Sequence, residues 1–108
     1  MQIPVTEAGQ VPDGAYLLDV REPEEWTAGH APGATHLPMM DVPVRLDEIP
    51  RDGDVVVVCR SGGRSGQVVA YLMHQGYDNV ANLDGGMLDW AAAGRPMVSE
   101  DGQPARVL

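Results

Sequence analysis

Four valines in a row, Val55 to Val58, run directly into Cys59. A strand with one face in water alternates apolar and polar residues, and this segment does not. Four β-branched side chains in succession predict a central strand buried on both faces, as in a parallel sheet. Three further strand candidates are Tyr16 to Val20, after the Pro12-Asp13-Gly14 turn, then Ala34 to Leu37, and Val80 to Leu83. Helical patterns alternate with them. One starts at Glu22 to Trp26, where Pro23 and the acids suit a helix N-terminus, and ends by Gly29 and Pro32-Gly33. Another covers Val42 to Ile49, closed by Pro50 and Asp52-Gly53. A third places Val68, Val69, Leu72 and Met73 on one face and stops at Gly76. The last runs from Asp84 to Ala93 with Trp90 on its apolar side. Alternating strands and helices predict an α/β fold with a largely parallel sheet. The segment after Pro96 is polar with scattered apolar residues and carries no assignment.

A chain of 108 residues, 44% hydrophobic and 21% charged, has the composition of one soluble globular domain, here residues 1–108. Its one cysteine excludes an intrachain disulfide and a Cys-rich zinc site. The longest apolar run, Val55 to Cys59, is far short of a membrane span. The first fifteen residues lack a basic stretch followed by an apolar one, so a reduced, cytoplasmic setting is expected. Seven arginines stand against sixteen acids, with no lysine, for a net charge of −9. That balance argues against nucleic acid and anionic membrane surfaces as partners. Between Val55 and Tyr77, however, there is no acid, only Arg60 and Arg64. The window carries +2 and leaves −11 to the rest of the chain. With a Debye length of about 8 Å at physiological salt, an anion there responds mainly to the two arginines.

Cys59 ends the central strand, and ligands of open α/β sheets bind beyond the carboxyl ends of strands. The residues that follow, Arg60, Ser61, Gly62, Gly63, Arg64 and Ser65, read as a loop before the next helix. Its glycines let successive N–H groups turn inward as an anion-binding nest, and the helix adds its unpaired N–H groups. Two guanidinium groups can each grip an oxyanion with paired donors. The same surroundings favour a thiolate. A drop of about 2 units in the Cys59 pKa, roughly 2.7 kcal/mol, makes the thiolate the major form at neutral pH. The simpler reading is a buried core thiol, which explains neither the arginines nor the paired glycines. Cys59 is therefore the candidate nucleophile.

In this order, the residues resemble the rhodanese family, the single-domain sulfurtransferases. Leu17-Leu18-Asp19-Val20-Arg21 with Glu22, Pro23 and Glu25 is similar to the family's first motif. Gly29-His30-Ala31-Pro32-Gly33-Ala34 with Pro38 is similar to its second, with Ala31 where a larger aliphatic residue is common. Cys59 to Ser65 resembles the active-site loop, and Gly76 to Val80, Leu83 to Gly86 and Trp90 resemble the closing motif. The resemblance covers nearly the whole chain and implies a three-layer α/β/α sandwich around a sheet of about five strands. Related phosphatases and arsenate reductases carry five residues between Cys and Arg. Here four separate Cys59 from Arg64, a length that the resemblance assigns to sulfur transfer.

The implied reaction moves a sulfane sulfur from thiosulfate or a similar anionic donor to cyanide or a thiol, through a Cys59 persulfide. Arg60 to Ser65 bind the anion, and neither metal nor organic cofactor is expected. Two alternatives are a persulfide carrier serving a sulfur-relay protein and a phosphatase or arsenate reductase. Asp19, Arg21 and His30 are read as supporting residues: Asp19 and Arg21 as ion-pair partners, His30 as a hydrogen-bonding residue near the loop. Arg64 is expected to face the cradle and to pair with an acid such as Asp19, and Arg60 has room to turn outward. His30, His36 and His74 lack the i,i+4 spacing of metal ligands. Trp26 and Trp90 read as anchors beside the core, and Met39-Met40 as filler or the mouth of a pocket.

Overall fold

A computed structural model describes residues 2–108. Five parallel strands form one sheet in the order β1-β5-β4-β2-β3, with β1 at Val5–Thr6, β2 at Tyr16–Asp19, β3 at Thr35–His36, β4 at Val55–Val58 and β5 at Val80–Leu83. Among the described residues there are three α-helices: α1 (Pro23–Ala28) links β2 to β3, α2 (Gly63–His74) links β4 to β5, and α3 (Gly86–Ala92) follows β5. The valine strand β4 is central, as its lack of alternation predicts. Val55 and Val57 point into one core with Leu18, Val68, Val69 and Leu72, the last three from α2. Val56 and Val58 point into the other with Leu17, Leu83, Met87 and Trp90, the last two from α3. The two faces are thus covered by different helices, which makes the α/β/α sandwich. Full burial of one such valine contributes roughly 1.5–3 kcal/mol.

Several boundaries differ from those expected. β1 pairs with β5 at the sheet edge, and two residues are too few to show a sequence pattern. The helix expected over Val42 to Ile49 is instead 3-10 over Pro43–Glu48, interrupted at Arg45 with φ −120°, and a separate 3-10 turn at Met39–Asp41 precedes it. The helix expected from Asp84 begins at Gly86, because Gly85 and Gly86 both take positive φ. The segment after Pro96 folds back along the molecule. His30 and Val98 form an antiparallel bridge, and Arg106 N donates to the Ala28 carbonyl at 3.1 Å. Among the described residues, no helix is long and apolar enough to cross a membrane.

Candidate active site

The chain leaves β4 at Cys59 and turns at Gly62, whose φ of +107° lies in the left-handed region. Helix α2 starts immediately afterwards, so Gly63, Arg64 and Ser65 are its first turn and not a loop. The reason is that one left-handed glycine completes the reversal, leaving Gly63 free to take helical geometry. The amides of this stretch converge on Cys59 Sγ, which accepts from Gly62 N at 3.0 Å and from Ser65 Oγ at 3.2 Å. Cys59 itself is only 1% exposed. Burial pushes its pKa up, but the Ser65 hydroxyl and the backbone N–H groups of Ser65, Gly62 and Ser61 outweigh it. The net result is a thiol below its ordinary value. The expected direction holds: the N–H groups of the turn and helix start lower it, joined by the Ser65 hydroxyl, and the Arg64 charge also interacts with the sulfur.

The outer side of the turn is held by α3. Met87 N donates to the Cys59 carbonyl at 2.8 Å and Leu88 N to the Arg60 carbonyl at 3.1 Å. Those carbonyls face outward, so the following N–H groups face in. Only glycine fits at position 86, since a Cβ there would lie 2.5 Å from both carbonyl oxygens. Asn82, which the sequence reading does not single out, closes the site from β5. It accepts from Ser65 Oγ at 2.5 Å through Oδ1 and donates from Nδ2 to the Gly62 carbonyl at 3.1 Å. A polar side chain inside the strand Val80–Leu83 is the available signal, because asparagine is depleted in strands.

Arg64 pairs with Glu25, not with Asp19. Its Nη1 and Nη2 donate to the two Glu25 oxygens at 2.7 and 2.9 Å. The bond from Arg64 lowers the Glu25 pKa to about 2, against the opposing effect of burial. Glu25 is preset for this role by its place in α1: Oε1 also accepts from Glu22 N at 3.0 Å, in a capping box that orients its side chain. Asp19 is unavailable to Arg64 because Arg21 fills it, with Nε and Nη2 donating to its two oxygens at 2.9 and 2.8 Å. Arg21 Nη2 also donates to the Gly29 carbonyl at 2.7 Å, which ties the end of β2 to the end of α1. Arg60 does turn outward, and its Nε donates to the Leu108 carbonyl at 2.6 Å.

His30 hydrogen-bonds as expected, but not to the turn after Cys59. Its ring bonds to the Ala31 carbonyl and to a Glu100 carboxylate oxygen at 2.8 Å, and stacks on Trp26 with centroids 3.5 Å apart. The His30–Val98 bridge brings in the C-terminal segment, and that segment, rather than the turn after Cys59, takes the ring's outer nitrogen. Met39 and Met40 line a cleft of about 300 Å³ with Val68 and Tyr71 of α2.

A cysteine after a central parallel strand, cradled by the first turn of a helix, defines a class, and comparison with known proteins agrees. The chain belongs to the rhodanese-like domain family, whose model matches residues 6–93. It is 52% identical over 90 residues to a sulfurtransferase of Allochromatium vinosum, covering 83% of this chain and 84% of that one. It is 40% identical over 78 residues to the thiosulfate sulfurtransferase GlpE of Pseudomonas entomophila, covering 72% of each. Among solved structures, a rhodanese-related protein of Thermoplasma volcanium superposes with a TM-score of 0.82 at 28% identity, covering 88% of this chain and 97% of that chain.

Proposed function

We propose that residues 1–108 act as one rhodanese-type sulfurtransferase domain with Cys59 as nucleophile. Sulfur transfer in general is the activity named for the relatives; the donor and the residue roles are our reading. The observation that carries it is the set of donors on Cys59 Sγ, from Gly62 N and Ser65 Oγ, at the start of α2. The Cys59 thiolate attacks the outer sulfur of thiosulfate or a similar sulfane donor. The S–S bond of the donor breaks, its electron pair leaves with sulfite, and a Cys59 persulfide anion remains. Backbone N–H groups from Arg60 to Ser65 hold that anion, Gly62 and Gly63 keeping them free of side chains. Cyanide or a thiolate then attacks the outer sulfur, and the electron pair of the persulfide bond returns to Sγ. Each step is a two-electron displacement at sulfur, and the atoms balance without a cofactor. Arg64 contributes by exchanging the Glu25 carboxylate for the donor's oxyanion, and Arg60 by its field at the rim. Asp19, Arg21 and His30 support the frame.

Intact mass tests this directly. Thiosulfate adds one sulfur atom to the protein, cyanide removes it, and Cys59→Ser takes up none. Sulfur gained by that variant, or none gained by the natural protein, overturns the assignment. A second reading, a persulfide carrier loaded by a partner protein, is favoured by one observation: both arginines already hold protein oxygens. Saturation with thiosulfate only far above cellular donor concentrations would support the carrier.

A further inference from the structure

The Ser65 hydroxyl has one proton and two acceptors. Its Oγ lies 3.2 Å from Cys59 Sγ and 2.5 Å from Asn82 Oδ1. Ser65 is fully buried and Asn82 is 7% exposed, so water does not readily substitute for either partner. The Asn82 amide is oriented by its other end, because Nδ2 donates to the Gly62 carbonyl at 3.1 Å. Oδ1 therefore faces Ser65 and can only accept. While Sγ carries a proton, the thiol donates to Ser65 Oγ and the hydroxyl donates to Asn82. Every buried group then has a partner. Once that proton leaves to solvent, the hydroxyl gains more by turning to the anion, since a bond to a charged acceptor is the stronger one.

We propose that Asn82 is a positioning residue, holding the Ser65 hydroxyl while Sγ is neutral and releasing it when the sulfur becomes charged. The proposal deepens the sulfurtransferase reading and rests on it. After attack on the donor, Sγ is the neutral inner sulfur of the persulfide, and the hydroxyl returns to Asn82. When the acceptor takes the outer sulfur, charge reappears on Sγ and the hydroxyl turns back. Asn82 thus satisfies the hydroxyl in the neutral-sulfur stages and yields it in the charged ones, without touching substrate.

A double-mutant cycle tests it on the full chain: the natural protein, Ser65→Ala, Asn82→Ala and the double variant. The readout is the pH midpoint of Cys59 alkylation by iodoacetamide, followed from about pH 5 to about pH 10, with a thermal melt of each protein. Arg64, whose charge interacts with Cys59, is present in all four. Removing the Gly62 contact shifts the midpoint equally with or without the Ser65 hydroxyl, so the cycle cancels it. What remains is the hydroxyl. With Ser65 present, Asn82→Ala leaves the midpoint lower, relative to its effect in the Ser65→Ala background, by roughly half a unit to one unit. Equal shifts in the two backgrounds overturn the proposal. A readout on the natural protein covers the case in which Asn82→Ala fails to fold. The Asn82 side-chain amide resonance titrates with the alkylation midpoint and loses that titration in Ser65→Ala; undiminished titration there overturns the proposal. Alkylation needs no sulfur donor, so sulfur uptake by the natural protein beside an uncoupled cycle removes the role of Asn82 and leaves the nucleophile in place.

Discussion

Arg21 and Arg64 each hold a carboxylate through two guanidinium nitrogens, at closest contacts of 2.8 and 2.7 Å. Their surroundings differ. The side chains of Arg21 and Asp19 are 0% and 1% exposed, while those of Arg64 and Glu25 are 35% and 15% exposed. A sealed pair has no competitor, and losing one partner strands the other charge in a poorly solvated site. A pair at the rim is open to exchange, because an incoming oxyanion offers the fork what the carboxylate offered. One geometry is therefore a fastener at the end of the interior strand β2 and an exchangeable contact near the candidate nucleophile.

The largest expected effect breaks the sealed pair. Asp19→Ala should cost about 3–5 kcal/mol and lower Tm by more than about 10 °C, read by thermal and denaturant unfolding. A loss below about 1 kcal/mol would make the two pairs equivalent. Breaking the rim pair from the arginine side should act on catalysis. Arg64→Ala lowers kcat/KM for thiosulfate by about 10- to 150-fold, taking 1.5–3 kcal/mol for a charged contact, and shifts Tm by only a few degrees. Unchanged kcat/KM would remove the exchange role.

Glu25 sharpens the contrast through pH. A carboxyl depressed to about 2 stabilises the fold above its ordinary value of 4.5, and that stabilisation is lost as pH falls through about 2. The full shift corresponds to about 3 kcal/mol, which the exposure of Arg64 reduces to about 1–2 kcal/mol. Denaturation of Glu25→Gln against the natural protein should show that difference at neutral pH, and the difference should shrink as pH falls from 4.5 and vanish below about 2. A constant difference across the range would assign the effect to the capping box alone. The same variant frees Arg64, so its KM for thiosulfate should fall. Arg60→Ala carries the smallest effect. Its contact to the Leu108 carbonyl is exposed, and kcat/KM should drop less than about fivefold.

Much of this is legible in the chain. The valine run announces a strand buried on both sides, and it lies at the centre of the sheet. Cys59, Gly62 and Ser65 read as one site because chemistry in α/β folds gathers where a strand ends and a helix begins. What sequence does not supply is pairing between distant segments. Either Asp19 or Glu25 satisfies Arg64 on paper; the short span from Asp19 to Arg21 settles the first, and the capping box orients the second. Asn82 escapes notice because its partners belong to another element. His30 is assigned the wrong neighbours because the segment after Pro96 has no periodicity to show where it lies.

The docking of α3 behind Cys59 bears on how the protein is made. The outward carbonyls of Cys59 and Arg60 receive their donors from Met87 and Leu88, across a glycine that lies well downstream of the cysteine. During synthesis, Cys59 emerges before those residues exist. Until they arrive, the Cys59 and Arg60 carbonyls lack these donors, and the turn is held only by contacts such as that from Asn82 to Gly62. Ribosome-bound chains stopped before Gly86 should therefore alkylate closer to an unfolded cysteine than chains long enough for α3 to have cleared the exit tunnel. Reactivity is in this sense acquired late, with the arrival of a helix that supplies no atom to the reaction.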